Sequence, residues 1–343
     1  MIGTSGSRPQ ALAARPEVGL DVKLAFLRQT FPEAPPIETH TAFVFLTPER
    51  AFKIKKPVNL GYLDHRSLAA RAHVCREEVR LNRQLAPDVY LGLVPLVTTN
   101  GQLALGGAGE VVDWLIEMRR LPADRMLDEI LRRGEVPDRA DIAAAFTLLA
   151  AFYAARQADL PGPNTYFAHL IRESAVNTRH LHQMQAHLGD AEAVRLGALA
   201  EAVILSHEVE IAQRVAARLI VEGHGDLRPE HVCLTAPPVI FDRIEFASDM
   251  RMIDIFDEVN YLGLECAALG TPWIRTLGFE VMCRAGFGAP SAELQTAYGI
   301  FRCVTRARLS IDHLRDAAPR TPAKWPTQAR AYLALAAGLL RGA

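Results

Sequence analysis

Length, composition and charge limit the classes of protein that this sequence can encode. The chain has 343 residues, of which 50% are hydrophobic, so it can bury one large core or the cores of two lobes. Its 38 basic and 39 acidic residues leave a formal net charge of -1, which gives no reason to expect a nucleic acid or an anionic membrane as partner. The five cysteines are widely spaced and form no C-x-x-C pair, so we expect reduced thiols in a cytoplasmic protein.

The N-terminal segment and the apolar stretches carry no membrane signal. Residues 1–20 are rich in Gly, Ser, Pro and Ala and lack the apolar core of a secretory signal, which predicts a disordered tail. Charged residues interrupt every later apolar stretch before it reaches the roughly 18 residues that a membrane span needs. We therefore expect no membrane-spanning segment.

Strand signals open the chain after a short helix. Apolar residues in 22–31 have helical spacing, and three prolines end the cluster. IETHTAFVFL, the polar TPER and AFKIKK then predict two strands joined by a turn. The alternation in the second strand places Lys53 and Lys55 on one face and Phe52 and Ile54 on the other.

An inserted helix and three more strands complete the first part of the chain. Residues 64–85 have helical spacing, with Asp64 as the N-cap. Strands are predicted at VYLGLVPLV, GQLALGG and VVDWLIEM, and the dipeptide NG supplies a hairpin turn between the first two. Residues 21–118 are thus predicted to form a mainly β lobe.

The remaining residues, 119–343, are predicted to form a helical lobe. It is interrupted once, at GHGDLRPEHVCLTAPPVIFD, where two short strands flank the turn TAPP. Helical periodicity covers residues 141–155, 167–187, 191–219, 254–264, 271–283, 292–314 and 327–340.

The strongest chemical signal is the segment HGDLRPEH at residues 224–231, followed after the hairpin by Asp242. Phosphoryl transfer needs one carboxylate to accept the proton of the attacking hydroxyl and a second to hold magnesium. A single turn aspartate is more often structural. A loop and a tight hairpin can bring Asp226 and Asp242 together, which favours the catalytic interpretation.

These residues resemble the aminoglycoside phosphotransferase and choline kinase-like family, whose catalytic loop reads H-G-D, four residues and Asn, with a later Ile-Asp. The resemblance implies Asp226 as the catalytic base, His224 as the loop histidine and Asp242 as the magnesium ligand. His231 stands where the family has Asn, at the second metal position. THTAFVFLTPERAFKIKKPV, REEVRLNRQLAPDVYLGLVPL and HGDLRPEHVCL are similar to an uncharacterised bacterial branch, in which this domain is sometimes joined to a P-loop ATPase domain. This sequence has no G-x-x-x-x-G-K-[ST], so we expect that domain to be absent from it.

The resemblance implies a bilobal, protein-kinase-like α+β fold with a small β lobe and a larger helical lobe. In such a fold a strand lysine reaches the nucleotide phosphates and a helix glutamate holds it. Lys53 is preferred because A-F-K-I is similar to the V-A-I-K strand of kinases, with Lys55 as the alternative. Glu78 is preferred as its partner because it shares a helical face with two leucines, and Glu77 is the rival.

Further nucleotide contacts are expected from two backbone segments. Glu117 and Met118, after the strand VVDWLI, are predicted to link the lobes and to grip the base. The turn at Thr39, His40 and Thr41 is predicted to cover the phosphates, with hydroxyls and amides replacing the glycines of a G-x-G-x-x-G loop.

Three more residues near the loop have predicted roles. Arg228 either meets the transferring phosphate or pairs with a nearby acid. Asp254 and Asp257, near Arg251, are expected to brace the loop, and Asp257 resembles the helix aspartate that does so in the family.

The sequence predicts a kinase that uses ATP or GTP and Mg²⁺ to phosphorylate a hydroxyl of an unidentified small molecule. No strongly acidic acceptor cleft, which aminoglycosides would require, can be located in the sequence. The alternatives are a nucleotide-binding pseudokinase module, which His231 supports, and a protein Ser/Thr kinase.

Overall fold

The described part of the chain separates into two compact units. One comprises the described residues up to Arg76 together with Leu91–Arg120, and the other comprises Glu77–Tyr90 and the described residues from Leu121 onward. The boundary after Arg120 is close to the predicted change from strands to helices, whereas residues 77–90 group with the second unit. Most of the expected N-terminal tail, residues 1–17, lies outside the described residues. The computed structural model describes residues 18–33, 35–60, 63–156, 165–189, 192–315, 319 and 321–341.

A six-stranded sheet dominates the first unit. Its strands are β1 Ile37–Glu38, β2 Ala42–Leu46, β3 Arg50–Lys55, β4 Tyr90–Thr99, β5 Gln102–Leu105 and β6 Glu110–Arg119. They are hydrogen-bonded in the order β1-β2-β3-β6-β4-β5. The β4–β5 hairpin turns at Asn100 and Gly101, whose φ angles of 53° and 82° fit a type I′ turn and confirm the predicted hairpin.

The two faces of β3 differ as the alternation predicts. Ile54 is fully buried in an apolar cluster that also contains Leu24 and Leu27 of helix α1, Leu20–Thr30. Lys53 and Lys55 project from the opposite face, because successive strand side chains alternate. The sheet therefore buries its aromatic face under α1 and directs both lysines away from it.

Helix α2, Leu68–Asn82, begins later than the sequence predicts. The hydroxyl of Ser67 accepts a hydrogen bond from the N–H of Ala70 at 3.1 Å and caps the helix. Asp64, the predicted cap, instead accepts from the backbone N–H of Arg66 at 3.1 Å and pairs with its guanidinium. The assignment of the N-cap to Asp64 is therefore wrong.

A buried charge cluster ties three elements of the first unit together. Asp113 of β6 is 1% exposed, and its carboxylate accepts hydrogen bonds from Nζ of Lys23 in α1 at 2.8 Å and from Nε of Arg71 in α2 at 3.0 Å. Removing one partner of such a cluster leaves a buried charge uncompensated, which costs about 3–5 kcal/mol. Both helices are thereby fixed to the sheet.

Helices make up most of the second unit. Two small antiparallel sheets interrupt them: β7 Ile220–Glu222 with β10 Met252–Asp254, and β8 Val232–Cys233 with β9 Val239–Ile240. The second sheet confirms the predicted hairpin. The helices are α3 Leu127–Arg132, α4 Arg139–Ala154, α5 Thr165–Gln183, α6 Gln185–Leu188, α7 Glu192–Ser206, α8 Glu208–Ala216, α9 Ile255–Ala268, α10 Trp273–Arg284, α11 Ala292–Asp312 and α12 Lys324–Arg341.

Two predicted helices are broken, and the first half of one helix is buried on all sides. The helix expected over residues 167–187 divides at Met184. The helix expected over residues 191–219 divides at His207, whose Nδ1 contacts the carbonyl of Val203 at 2.8 Å. Helix α9 packs against α10 and α11, and the buried residues of its first half include Asp257 and Glu258. No helix in the described ranges combines the length and apolar character that crossing a bilayer requires.

Candidate active site

His224 joins the loop after β7 to the end of β9. It is fully buried, and its Nε2 donates to the carbonyl of Phe241 at 2.8 Å, while Nδ1 accepts from the N–H of Asp226 at 3.3 Å. Burial, reinforced by the neighbouring His231, lowers the pKa of His224 to about 3. The imidazole is therefore neutral, and its two hydrogen bonds fix the loop relative to the strand that leads to Asp242.

Glu258 of α9 holds the backbone of the same loop. Its carboxylate accepts from the N–H of His224 at 2.9 Å, from the N–H of Gly225 at 2.6 Å and from the hydroxyl of Tyr153 at 2.7 Å. Burial raises the pKa of Glu258, but all three neighbours donate, so the ionised form satisfies them. Gly225 has a φ of +90°, and a Cβ there would lie 3.1 Å from the carbonyl of Met250. Only glycine fits this turn without strain.

The brace predicted at Asp254 and Asp257 lies at Glu258 instead. The carboxylate of Asp257 accepts two hydrogen bonds from the guanidinium of Arg302, at 2.9 and 2.6 Å. Asp254 caps α9, because its carboxylate accepts from the N–H of Phe256 at 2.8 Å. Arg251, which was expected near these acids, pairs with Glu222 at 2.7 Å. The prediction was therefore right about the helix and wrong about the residue.

Asp226 presents a carboxylate that is partly open to solvent. Its side chain is 29% exposed, and Oδ1 lies 2.9 Å from Nε of Arg228 and accepts from the hydroxyl of Tyr261 at 3.2 Å. Its carbonyl accepts from Nδ1 of His231 at 2.7 Å. Burial by itself would raise the pKa of Asp226, but Arg228, then His231 and Arg306, outweigh it and hold the pKa below its ordinary range. The group is an ionised carboxylate with fixed orientation.

Arg228 pairs with two acids of its own loop. Besides its contact with Asp226, it binds Glu230 through Nη1 at 2.5 Å. Its side chain keeps 19% of its surface exposed. Of the two roles left open by the sequence, the pairing with nearby acids is present in the structure, and contact with phosphate stays a prediction.

Asp242 and His231 face each other across the hairpin. Asp242 has a φ of +61° and a side chain that is 37% exposed, and its N–H donates to the hydroxyl of Tyr90 at 3.2 Å. Nε2 of His231 lies 3.6 Å from its Oδ2. A left-handed conformation at a residue other than glycine is uncommon and costs energy, so the surrounding structure must impose it.

Arg243 supplies the anchor that imposes this conformation. It is fully buried, and its N–H donates to the side chain of Asn82 at 2.9 Å. Its guanidinium donates to the carbonyls of Gly223 at 2.6 Å and Glu222 at 2.8 Å and to the side chain of Gln84 at 2.6 Å. Burial lowers the pKa of Arg243 to about 10, which leaves it charged near neutral pH. The sequence analysis missed this residue, although an arginine directly after Asp242 was a visible signal.

The donor set around Asp242 fits a magnesium ion that also has nucleotide phosphates as ligands. Mg²⁺ prefers oxygen ligands at about 2.1 Å and is often held by one or two carboxylates plus phosphates and water. Asp242 offers such a carboxylate. No group of three His, Cys, Asp or Glu side chains in the described ranges could hold a metal ion by itself.

The predicted phosphate residues differ in burial. Lys55 is 1% exposed, whereas Lys53 is half-buried. Glu78 is fully buried, and Glu77 pairs with Arg80 on the surface of α2 at 2.7 Å. The preference for Glu78 on the inward face of its helix is therefore consistent with its burial, but the preference for Lys53 is not supported by burial.

The two predicted backbone segments lie in different kinds of structure. Residues 39–41 form the turn between β1 and β2, and Thr39 stabilises it by accepting from the N–H of Ala42 at 3.0 Å. Phosphate contact by Thr39, His40 or Thr41 stays a prediction. Glu117 and Met118 lie inside β6, which covers the predicted strand VVDWLIEM and continues to Arg119, and their contact with a base stays a prediction.

A large cavity in the second unit opens beside the catalytic loop. Its volume is about 590 Å³, within the roughly 300–1,000 Å³ typical of small-molecule sites. Residues of the loop, α9, α11 and α12 line it, among them Arg228, Glu230, Glu265, Arg306, Lys324 and Tyr332.

A β-sheet unit, a larger helical unit and an H-G-D loop followed by a second aspartate define a protein-kinase-like fold, as the sequence predicts. Solved structures of other proteins support this fold assignment. The chain is similar to the aminoglycoside phosphotransferase APH(2″)-IIIa in its complex with GDP and kanamycin, with a TM-score of 0.53, 16% identity and coverage of 92% of this chain and 97% of that one. A choline/ethanolamine kinase family protein from Mesorhizobium loti gives a TM-score of 0.51 at 16% identity, covering 92% and 94%. At these identities the likeness shows the fold alone.

Relatives by sequence are uncharacterised. Proteins from Mycobacterium tuberculosis and Mycobacterium bovis are 30% identical to the chain over 294 residues, which is 83% of this chain and 56% of theirs. The chain thus spans about half the length of these relatives. No protein-family model matches the sequence.

Proposed function

We propose that this chain is a phosphotransferase that moves the γ-phosphate of ATP or GTP to a hydroxyl of a small molecule. The observation that carries the proposal is the placement of Asp226, an ionised and partly exposed carboxylate held by Arg228 and Tyr261 on a loop braced from α9. A general base must be ionised, accessible and aimed, and Asp226 meets the three conditions.

The groups around Asp226 suit phosphoryl transfer. Asp226 would accept the proton of the attacking hydroxyl, while Tyr261 and Arg228 keep its oxygens oriented. Arg228 is a permanent cation next to the base, so it is positioned to meet negative charge that develops on the transferring group. Such preorganised charges act without further rearrangement when the reaction occurs.

Nucleotide binding would involve both a metal and a lysine. Asp242 would hold Mg²⁺, which neutralises phosphate charge when bound. We assign the phosphate-binding lysine to Lys55 and the helix carboxylate to Glu78, because each is the fully buried member of its pair of alternatives. A charged side chain is buried only when the fold compensates its charge.

The solved neighbours support a nucleotide and a small acceptor. APH(2″)-IIIa was crystallised with GDP and kanamycin, and another of its structures contains GDP. We also place this chain in the bacterial branch that is sometimes joined to a P-loop ATPase domain, on the three stretches of sequence that resemble it.

The proposal is tested by measuring nucleotide affinity and ADP formation separately, with and without hydroxyl compounds. Asp226→Asn should bind ATP within a few-fold of the wild-type affinity but form no ADP, because the base contacts the acceptor rather than the nucleotide. Equal turnover by wild type and variant would contradict the proposal.

A nucleotide-binding module without catalysis is the second candidate. It is favoured by one observation, the imidazole of His231 where the resembling family has Asn. Nucleotide binding by wild type with no ADP formation, whatever the acceptor, would support it. Labelled phosphate transferred to lysate proteins instead would support a protein kinase.

A further inference from the structure

The cavity beside the catalytic loop is the place where an acceptor would bind. Arg228, Pro229 and Glu230 form part of its wall, directly after Asp226 in the chain. An acceptor in this cavity would therefore meet the charges on its wall.

Each carboxylate on the wall is held in an ion pair. Each of the three is bound by an arginine that also lines the cavity. An ammonium group entering the cavity would have to displace one of these guanidinium groups, which are bidentate donors and hard to replace. The pairs are Asp128 with Arg132 at 2.5 Å, Glu230 with Arg228 at 2.5 Å, and Glu265 with Arg306 at 3.0 Å.

A fourth cation remains without a carboxylate. Lys324, the first residue of α12, is exposed, and its Nζ lies 4.9 Å from the ring centre of Trp325. His313 stacks on the same ring at 3.9 Å. Among the residues that the structure describes, Lys324 forms no ion pair. Arg228 is shared with Asp226 and Arg132 with Glu129, so Lys324 is the cation on the described wall that is left to meet a charge on the acceptor.

We infer that the acceptor is an anion, a small hydroxylated compound bearing a carboxylate or a phosphate group that Lys324 binds. The inference rests on the proposed phosphotransferase function and names its class of acceptor. It separates this chain from enzymes that act on polycations, because a polycation needs free carboxylates on the wall and would be repelled by Lys324.

Three probes of similar size test the charge preference. D-gluconate, D-glucose and D-glucosamine are six-carbon polyols that are negative, neutral and positive at neutral pH. Their binding is measured by titration calorimetry on the whole chain with ADP present, after ADP binding has been measured alone. Lys324→Glu is the test variant, and Arg330→Glu is the control, because Arg330 is exposed on the same helix and does not line the cavity.

Gluconate should bind at least about tenfold more tightly than glucosamine, which corresponds to about 1.4 kcal/mol. Lys324→Glu should lose about tenfold in gluconate affinity, and Arg330→Glu should stay within about twofold of wild type. Glucosamine binding as tightly as gluconate, undetectable gluconate binding at millimolar concentration, or an unchanged Lys324→Glu variant would overturn the inference.

The two proposals fail in different ways. If ADP does not bind but gluconate shows the expected preference, the nucleotide-dependent function is wrong and the anion site stands. If ADP binds and is formed from ATP while glucosamine is preferred, the phosphotransferase stands and the anionic acceptor is wrong.

Discussion

Nε of Arg228 lies 2.9 Å from Oδ1 of Asp226, and Arg228 also binds Glu230 at 2.5 Å. The arginine is therefore the nearest cation to the proposed base and the main reason why the pKa of Asp226 lies below its ordinary range despite burial. Arg228 thus keeps Asp226 ionised at acid pH, and it also makes Asp226 a weaker base.

Replacing Arg228 should move the acid limb of the pH–activity profile. In wild type the depressed pKa of Asp226 means that the carboxylate is protonated, and activity lost, only well below the ordinary aspartate range. Arg228→Gln removes the cation, so that pKa should rise, and the acid limb of ADP formation should shift upward by about one pH unit. The measurement is the pH dependence of kcat/KM for the nucleotide.

Glu230→Gln is the matched control for that shift, because it removes the other partner of Arg228 and keeps the guanidinium beside Asp226. Its acid limb should stay in place or move slightly down. An acid limb that is identical in wild type and Arg228→Gln would show that Arg228 does not set the pKa of the base.

Glu258 should be the most sensitive residue behind the loop. Glu258→Gln replaces one carboxylate oxygen by an amide NH₂ group. At least one of the three donors around this side chain then faces another donor and loses its acceptor. A buried donor without an acceptor costs about 1–3 kcal/mol, so the free energy of unfolding should fall by at least that amount. The loop that carries Asp226 should also loosen, and kcat should fall more than the nucleotide KM changes.

Glu280→Gln provides the surface control, since Glu280 is exposed on α10 and its contact with Arg139 is 3.4 Å long. Its stability should stay within about 0.5 kcal/mol of wild type. Denaturant unfolding and steady-state kinetics check both variants. Wild-type stability and kcat in Glu258→Gln would refute the role of Glu258 as a brace.

Patterns that depend on neighbouring residues were predictable from the sequence. Alternation placed Lys53 and Lys55 opposite Ile54, and the NG dipeptide located a type I′ hairpin, because each signal is contained in a few adjacent residues. The order of a loop, a hairpin and a second aspartate indicated Asp226 and Asp242 in the same way, and the roles of both residues stay predictions.

Choices between adjacent residues of like chemistry were not predictable. Asp257 and Glu258 are consecutive acids in the half of α9 that is buried all around, so periodicity could not show which one faces the loop. Asp64 and Ser67 are both good N-caps, and only the path of the preceding chain decides between them. The anchor at Arg243 depends on Asn82, which is distant in sequence.

The lysine that binds phosphate should be Lys55. Lys55→Ala should weaken ATP binding or slow transfer by about tenfold or more, because a charge-assisted contact with phosphate is lost. Lys53→Ala, on the same strand face but half-buried, should stay within a few-fold of wild type. Calorimetric titration with ATP, together with ADP formation, compares the two. A larger loss in Lys53→Ala would return the assignment to the sequence-based choice.

His231 lies beside Asp242, the proposed metal ligand. Its Nδ1 donates to the carbonyl of Asp226 at 2.7 Å, so Nε2 is the nitrogen that faces Asp242, 3.6 Å from its carboxylate. An imidazole nitrogen is a poor ligand for Mg²⁺ and a better one for softer divalent ions. We expect Nε2 to hydrogen-bond a phosphate oxygen or a metal-bound water rather than to ligate the metal.

His231→Asn should therefore keep Mg²⁺-dependent ADP formation, since the shorter amide can still donate to the Asp226 carbonyl. The ratio of activity with Mg²⁺ to activity with Mn²⁺ should change by no more than a few-fold. His231→Phe keeps an aromatic ring at this position but removes both nitrogens. Its kcat should fall by about tenfold, because one hydrogen bond to a charged group is lost. Metal titrations of ADP formation in the three proteins make the comparison. Wild type active with Mn²⁺ but not with Mg²⁺, together with a gain of Mg²⁺ activity in His231→Asn, would instead establish His231 as a direct metal ligand.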